Sequence, residues 1–488
     1  MDLLHGFNHL YLVLLHIICN TCLVLLQIGV YLHHKKPNMF QRKSLEWLIE
    51  WSLKTKHKPL IIRGARQVGK TTLINEFSKE FDTFLSLNLD KKDEKALFEK
   101  EDSAEQILMT IYLLKNKIRV KGRTLLFIDE IQNSPKAVAM LRYFYEDLPD
   151  LYVIAAGSLL ESLIDNQISF PVGRVEYMAL RPCSFVEFLD AMGEKALKQA
   201  LEFASIPAAL HNKTMRLFNE FVLVGGMPEA VASYAENKDI VALNSIYETL
   251  LTGYREDAEK YAQGNANQQV LRYILTNGWS QAGERIRFEK FASSNYRSRE
   301  MGEAFRTLEK AMLLELVYPA TNTDLPIQPD CKKAPKLYWL DTGLVNYVSN
   351  FQKELFQLKD ISDAWKGKIA EHIVGQELLS SNRLVSAKRY FWVREAKNAQ
   401  SELDFLYYFD GHVLPVEVKS GYNSKLKSLH WFMESSSENV ALRFWGQPLS
   451  SDIVTMPSGK KFKLYNLPFY YAGVLDAFLK QADFSGSF

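Results

Sequence analysis

The chain has 488 residues, 47% apolar and 24% charged, with a formal net charge of +2. A chain of this length divides into two to four domains with room for large cores, and a charge balance this even leaves any nucleic-acid contact to local patches. Four cysteines in the whole chain exclude a disulfide scaffold and fit a reducing compartment.

Residues 9–32 carry no Asp, Glu, Lys or Arg, long enough for one membrane-spanning helix. Asp2 precedes the run, and His33, His34, Lys35 and Lys36 follow it. That bias would leave the rest of the chain in the cytoplasm. Two readings stand: a single-pass N-terminal anchor, or a true start at Met39, with the chain cytoplasmic and the 1–38 segment an artefact of start choice. Cys19 and Cys22 lie inside this run without a second ligand pair and read as a chance C-x-x-C.

Residues 39–190 alternate helix and strand, which predicts an α/β domain built on a parallel sheet. Leu60-Ile61-Ile62 is a buried strand. Gly64-Ala65-Arg66-Gln67-Val68-Gly69-Lys70-Thr71-Thr72 follows, with a helix over 71–80, and this is the phosphate-loop pattern. Gly64 and Gly69 let successive N–H groups turn toward phosphates, while the helix N-terminus supplies partial positive charge. Lys70 suits the β- and γ-phosphates and the Thr71 hydroxyl suits Mg²⁺. A second strand is expected over 83–89. A third, Thr124 to Glu130, delivers Asp129 and Glu130 to the carboxyl edge of the sheet, where ligands of open α/β sheets bind. Asp129 is placed to hold Mg²⁺ and Glu130 to polarise the attacking water. The strand Tyr152–Ala156 ends at Gly157-Ser158, so Ser158 is either a γ-phosphate sensor or a helix N-cap. Arg174, in Phe170-Pro171-Val172-Gly173-Arg174, is either a charge stabiliser in its own or a neighbouring subunit or a surface cation.

Residues 191–262 read as a helical lid, with Gly225-Gly226-Met227-Pro228 as a turn. Residues 263–350 read as three helices and two strands, a winged helix. Its third helix, Arg299 to Val317, carries Met301, Phe305, Leu308 and Met312 on one face. Seven cations (Arg285, Arg287, Lys290, Arg297, Arg299, Arg306 and Lys310) stand against four acids over 285–310, which suits DNA contact or an ordinary solvated face.

Residues 351–488 hold a second constellation. A helix over 363–379 carries Glu371, and strands are expected over 389–394, 402–409 and 412–420. Asp410-Gly411 is a hairpin turn that fixes the register. If Phe409 pairs with His412, Asp404 lies opposite Glu417 and Glu402 opposite Lys419, with Leu403, Phe405, Val416 and Val418 on the other face. Carboxylates ~5 Å apart across a hairpin repel unless a cation lies between them. Mg²⁺ between Asp404 and Glu417 would serve, and Lys419 could orient a water or stabilise phosphate charge; with the helical Glu371 as a further metal ligand, the set has the layout of the PD-(D/E)XK metal-dependent nucleases. The alternative is a solvated face with a Glu402–Lys419 salt bridge.

Both constellations together resemble a family of prokaryotic AAA+-type ATPases related to the archaeal ATPase group. Its members carry a phosphate-loop domain, a winged helix and a C-terminal PD-(D/E)XK domain of restriction-endonuclease type. The resemblance covers about residues 39–480 and adds Arg181-Pro182-Cys183-Ser184-Phe185-Val186-Glu187-Phe188 to the motifs above. It implies ATP, phosphate contact through Gly69, Lys70 and Thr72, metal at Thr71 and Asp129, a base at Glu130, and a nuclease-type site at Asp404, Glu417 and Lys419. The expected activity is a Mg²⁺-dependent ATP hydrolase coupled to DNA, in a chain that can form a homo-oligomer. An ATP-gated metal-dependent nuclease and an ATP-driven protein-binding switch are the alternatives. A membrane partner follows only if 9–32 is an anchor.

Overall fold

The computed structural model describes residues 40–100, 103–157, 171–262, 265–350, 367–394, 401–419 and 426–484. The apolar run 9–32 lies outside them. Among the described residues no helix is long and apolar enough to cross a membrane.

The first sheet contains β1 (Leu60–Arg63), β2 (Thr83–Asn88), β3 (Thr124–Asp129), β4 (Leu151–Gly157) and β5 (Glu176–Ala179). All are parallel, in the order β2-β3-β4-β1-β5. Strand alternation sends Leu60, Ile62, Leu125 and Phe127 into one core and Ile61, Leu126 and Ile128 into a second. Both faces are covered at the centre of the sheet, so β1 and β3 carry unbroken apolar runs, whereas the edge strand β2 alternates. Each such side chain contributes roughly 2 kcal/mol by burial. β4 separates β1 from β3, yet all three strands end at the same edge.

Between 184 and 261 the chain is helical, as expected. Ser184 and Glu187 form a reciprocal capping box at the start of Phe185–Ala191. His211–Val224, Pro228–Asn237 and Asn244–Tyr261 follow.

The next segment has helices Asn265–Asn277 and Ser298–Lys310, then β6 (Leu314–Val317), β7 (Pro319–Ala320) and β8 (Lys336–Trp339). The third helix is shorter than its sequence suggests. Met301, Phe305 and Leu308 are buried as expected, but the helix stops at Lys310 and Met312 takes φ +58°. Leu314 to Val317 gain more by pairing antiparallel with β8, Leu316 against Leu337, than by extending the helix.

The C-terminal sheet runs β13-β14-β12-β11-β10-β9-β7, with β9 (Tyr390–Val393), β10 (Glu402–Phe409), β11 (His412–Val418), β12 (Val440–Trp445), β13 (Ser450–Thr455) and β14 (Lys461–Pro468). The division anticipated at residue 350 is crossed by β7, which lies parallel to β9 at the edge of this sheet. Phe409 pairs with His412 and Phe405 with Val416, the register set by the Asp410-Gly411 turn. The faces differ from expectation at one point. The β10–β9 register shifts between Leu403 and Leu406, so Leu403 joins one core and Phe405 the other.

Candidate functional site: a phosphate loop wired to a buried acid cluster

The phosphate loop joins β1 to the helix Lys70–Phe77. Gly69 has φ +92°, a conformation that favours glycine. Gly64 is required for a different reason: a Cβ there would sit 2.4 Å from the Leu180 carbonyl oxygen. The buried Lys70 ammonium donates to the Gly64 and Ala65 carbonyls, both at 2.9 Å. Burial lowers the Lys70 pKa, and Glu130 and Asp129 oppose that shift. Thr71 and Thr72 are exposed at the head of the helix.

The Thr71 hydroxyl donates to Asp129 Oδ2 at 2.9 Å, so the loop and the tip of β3 meet across the end of β4. Glu130 has φ +53°, donates its N–H to Asp129 Oδ1 at 3.1 Å and accepts from Gln132 Nε2 at 2.5 Å. Two hard oxygen donors beside a backbone nest, with one lysine, fit a magnesium-bound triphosphate. Ser158 lies outside the described residues. Arg174 precedes β5, whose first residue, Glu176, pairs with Leu60 at the start of β1. It therefore sits at the edge of the sheet away from the loop, where Glu146 holds its guanidinium at 2.8 Å. In its own subunit Arg174 does not face the phosphates.

Several supports were not visible in the sequence. Arg42 donates to the Val68 carbonyl at 3.1 Å and the Arg181 carbonyl at 2.6 Å, and pairs with Glu187 at 3.0 Å. Arg66 pairs with Asp257, and the Tyr254 hydroxyl donates to the Arg66 carbonyl at 3.2 Å. Both partners lie on the helix Asn244–Tyr261, so this helix grips the loop directly. Pro228 packs 3.5 Å from where a Gly69 Cβ would stand.

A buried polar chain runs onward from that proline. The Gly226 N–H donates to Asp341 Oδ2 at 2.5 Å, and Asp341 Oδ1 caps the helix Thr342–Val348 through Leu344 N–H at 3.1 Å. Burial pushes the Asp341 pKa up to about 6. Gln376 Nε2 reaches Asp341 at 3.4 Å, and Gln376 Oε1 accepts from the Thr342 N–H at 2.8 Å. His372 Nε2 accepts from the Trp339 N–H at 3.2 Å, so its Nδ1 carries the proton and donates to the Thr342 hydroxyl at 2.9 Å. Burial holds His372 near pKa 3, hence neutral. Gln376 and His372 belong to the helix Lys368–Ser380, which also carries Glu371.

Glu371 opens the second constellation. The cation among its carboxylates is Lys336, from β8, which the sequence did not single out. Its ammonium lies 2.7 Å from Glu371, 2.7 Å from Glu402 and 4.0 Å from Asp404. Glu402 therefore pairs with Lys336, with Arg285 at 3.5 Å, and Lys419 pairs with Glu417. The Glu402–Lys419 bridge of the alternative reading does not form, since each of the two has another partner. Tyr338 donates to Glu371 at 2.5 Å and the Val418 N–H to Asp404 at 2.7 Å. Burial pushes Glu371 up to about 7 and Asp404 up to about 6, with Glu417 adding to the Asp404 shift. Burial also works against the Lys336 charge, but Glu371, Asp404 and Glu402 outweigh it and raise its pKa. Asp404, Glu417 and Lys419 are brought together, as expected. Glu371, Asp404 and Glu417 are not disposed around a vacant metal position, because an ammonium stands among them. Among the described residues no group of three or more His, Cys, Asp or Glu is arranged to hold a metal ion.

Of the seven cations over 285–310, Arg285 is tied to Glu402 and Arg299 to Glu303 at 2.9 Å. Arg306, exposed, and Lys310, half-buried, line an open cleft. Arg287, Lys290 and Arg297 are exposed.

Comparison with known proteins gives three family matches: an AAA domain over residues 56–189, a domain of unknown function (DUF8612) over 215–355, and a domain of unknown function (DUF4143) over 366–467. A search of curated proteins gives no match. Among solved structures, the Walker-type ATPase PABY2304 of Pyrococcus abyssi is 14% identical, with TM-score 0.41, over 64% of this chain and 97% of that one. The Aeropyrum pernix ORC1 protein, solved in complex with DNA, is 13% identical, with TM-score 0.24, over 67% of this chain and 97% of that one. C. elegans PCH-2 is 10% identical, with TM-score 0.23, over 37% of this chain and 56% of that one. The sheet order, the phosphate loop and the AAA-domain match together show that the chain carries a P-loop ATPase domain.

Proposed function

We propose that this chain hydrolyses ATP at the phosphate loop and uses nucleotide state to set how its winged segment and C-terminal domain engage DNA. The observation that carries the first half is the Thr71–Asp129 contact, which joins the loop to the tip of β3. Bound phosphates would draw Lys70 from the Gly64 and Ala65 carbonyls. Thr71 and Asp129 would hold Mg²⁺, which neutralises phosphate charge when bound. Glu130, steadied by Gln132, orients the water that attacks the γ-phosphorus as the bond to the ADP oxygen breaks. Lys70→Ala is expected to abolish ATP binding in equilibrium titration, and binding at wild-type affinity would overturn the assignment. Glu130→Gln is expected to bind ATP and turn it over at least about 100-fold more slowly. Turnover within twofold of wild type removes Glu130 from the role of base.

DNA engagement rests on Arg287, Lys290 and Arg297. Three phosphate contacts give a slope of log affinity against log salt of about −3. Replacing all three by Ala should flatten that slope, and an unchanged slope would place the contact elsewhere. The nuclease reading draws support from Asp404 and Glu417 lying on adjacent strands with Lys419 just past the second, but a metal does not fit while Lys336 stands among the acids. DNA cleavage in Mg²⁺ or Mn²⁺ that Asp404→Ala abolishes would favour it. Partner binding indifferent to salt, with no DNA binding at low salt, would favour the protein switch.

A further inference from the structure

The helix Asn244–Tyr261 holds one residue of the phosphate loop twice. The Tyr254 hydroxyl donates to the Arg66 carbonyl at 3.2 Å, and the Asp257 carboxylate pairs with the Arg66 guanidinium. Tyr254 and Asp257 are three positions apart, so they lie on one face of the helix. Both are buried, whereas the Arg66 side chain is 43% exposed. A buried carboxylate that loses its cation is strongly destabilising. Asp257, and the helix that carries it, are therefore bound to follow Arg66.

Arg66 also stands on the side of the loop that a nucleotide meets. Ala65, Val68 and Lys70 are buried, while Arg66 and Gln67 are exposed together with Thr71 and Thr72. The Arg66 charge reaches Lys70: burial lowers the Lys70 pKa, Glu130 and Asp129 oppose that shift, and Arg66 adds to it. Arg66 thus shares one electrostatic neighbourhood with Lys70, Asp129 and Glu130. Two neighbouring cations are tolerable in the resting protein because Asp257 takes up the charge of one. A guanidinium carries five N–H groups in a planar fork, so it can serve a phosphate oxygen without giving up a carboxylate. We propose that Arg66 is a second phosphate-binding cation of the ATP site, bridging the γ-phosphate and Asp257, so that the helix Asn244–Tyr261 is held more firmly with ATP than with ADP. The proposal rests on the reading of the loop as the ATP site. Arg66 would touch the nucleotide, and Asp257 is a positioning residue that acts through it. Without Arg66, the Asp257 carboxylate and the γ-phosphate would repel.

The test is equilibrium titration of the full chain in Mg²⁺ with a non-hydrolysable ATP analogue or with ADP, and hydrogen exchange of the amides over 244–257 in each state. Wild type is expected to bind the analogue more tightly than ADP and to protect those amides further with the analogue. Arg66→Gln should weaken the analogue at least about tenfold, the loss expected for a charge-assisted contact, and ADP by no more than about twofold. Asp257→Asn should still bind the analogue and lose the extra protection. Because Asp257 is buried, Arg66→Lys provides a second variant at an exposed side chain. An ammonium keeps the charge without the fork, so it should restore most of the affinity for the analogue and none of the extra protection. An analogue-to-ADP ratio unchanged in Arg66→Gln overturns the proposal, as does equal protection of the helix by both nucleotides in wild type. Extra protection that survives in Arg66→Lys and Arg66→Gln overturns it too. Wild type that binds neither nucleotide overturns the ATP-site reading itself, and the proposal with it. Wild-type binding that Lys70→Ala abolishes, with the ratio intact in Arg66→Gln, removes Arg66 alone and leaves the ATP site standing.

Discussion

Glu377 shows what one buried group imposes on the chain. It is fully enclosed, accepts from the Phe185 N–H at 3.1 Å through one oxygen, and its other oxygen has no partner among the described residues. Burial pushes its pKa up to about 8, and Glu187 adds to the effect. An unfolded glutamate titrates near ~4.3. The folded state therefore holds an extra proton between those values, and this group's contribution to stability falls as pH rises through that window, then levels off above about 8. Glu377→Gln should thus gain on wild type between pH 5 and 8 by several degrees of melting temperature, with a flat difference above 8. An equal difference at pH 5 and pH 8 would mean that the carboxylate is charged and paired throughout. Lys70 is the counterpart in the phosphate loop: its ammonium is also buried, but two carbonyls at 2.9 Å hold it in place for phosphate. Its role was legible because the loop is contiguous in sequence. The burial of Glu377 was not, since Phe185 lies 192 positions away.

At the scale of elements, β8 and the β10–β11 hairpin meet through Lys336. The hairpin register followed from Asp410-Gly411, because a two-residue turn fixes every pair beyond it. The identity of the cation did not follow, because Lys336 is 35 positions from Glu371 and reaches it only when β8 packs against the helix Lys368–Ser380. β5 escaped notice for a related reason: it is four residues long, with two of them buried, and it exists because β1 offers it an edge. Lys336→Met keeps the stem and removes the charge. With Glu371, Glu402 and Asp404 left without it, the variant should lose ~3 kcal/mol at pH 8 in urea unfolding. The loss should shrink toward pH 5, where Glu371 and Asp404, already raised, take up protons. The emptied position should also let Mg²⁺ or Mn²⁺ raise the melting temperature of the variant and not of wild type. A variant as stable as wild type at pH 8 would show that the ammonium does not hold the cluster together.

Across the whole molecule, the phosphate loop and the acid cluster are joined by one buried path: Gly69 against Pro228, Gly226 to Asp341, Asp341 and Thr342 to Gln376 and His372, and their helix to Glu371. The Gly226–Asp341 step spans 115 positions, so the sequence exposed the turn and hid its partner. Buried polar chains of this kind have few alternative arrangements, since any unpaired member costs ~1–3 kcal/mol. A shift of the loop on binding nucleotide should therefore be felt at the helix Lys368–Ser380 as a change of state and not dissipated. Linkage makes the coupling reciprocal. If a non-hydrolysable ATP analogue changes the affinity for duplex DNA by some factor, saturating DNA must change the affinity for the analogue by the same factor, roughly 5- to 150-fold for couplings of ordinary size. Gln376→Ala touches neither ligand, yet it removes the side chain bridging Asp341 and Thr342. It should bring both factors toward one while leaving the affinity for each ligand alone within about twofold. Equal factors in wild type that persist in Gln376→Ala would place the coupling elsewhere, in the grip of Arg66 and Tyr254 on the helix Asn244–Tyr261.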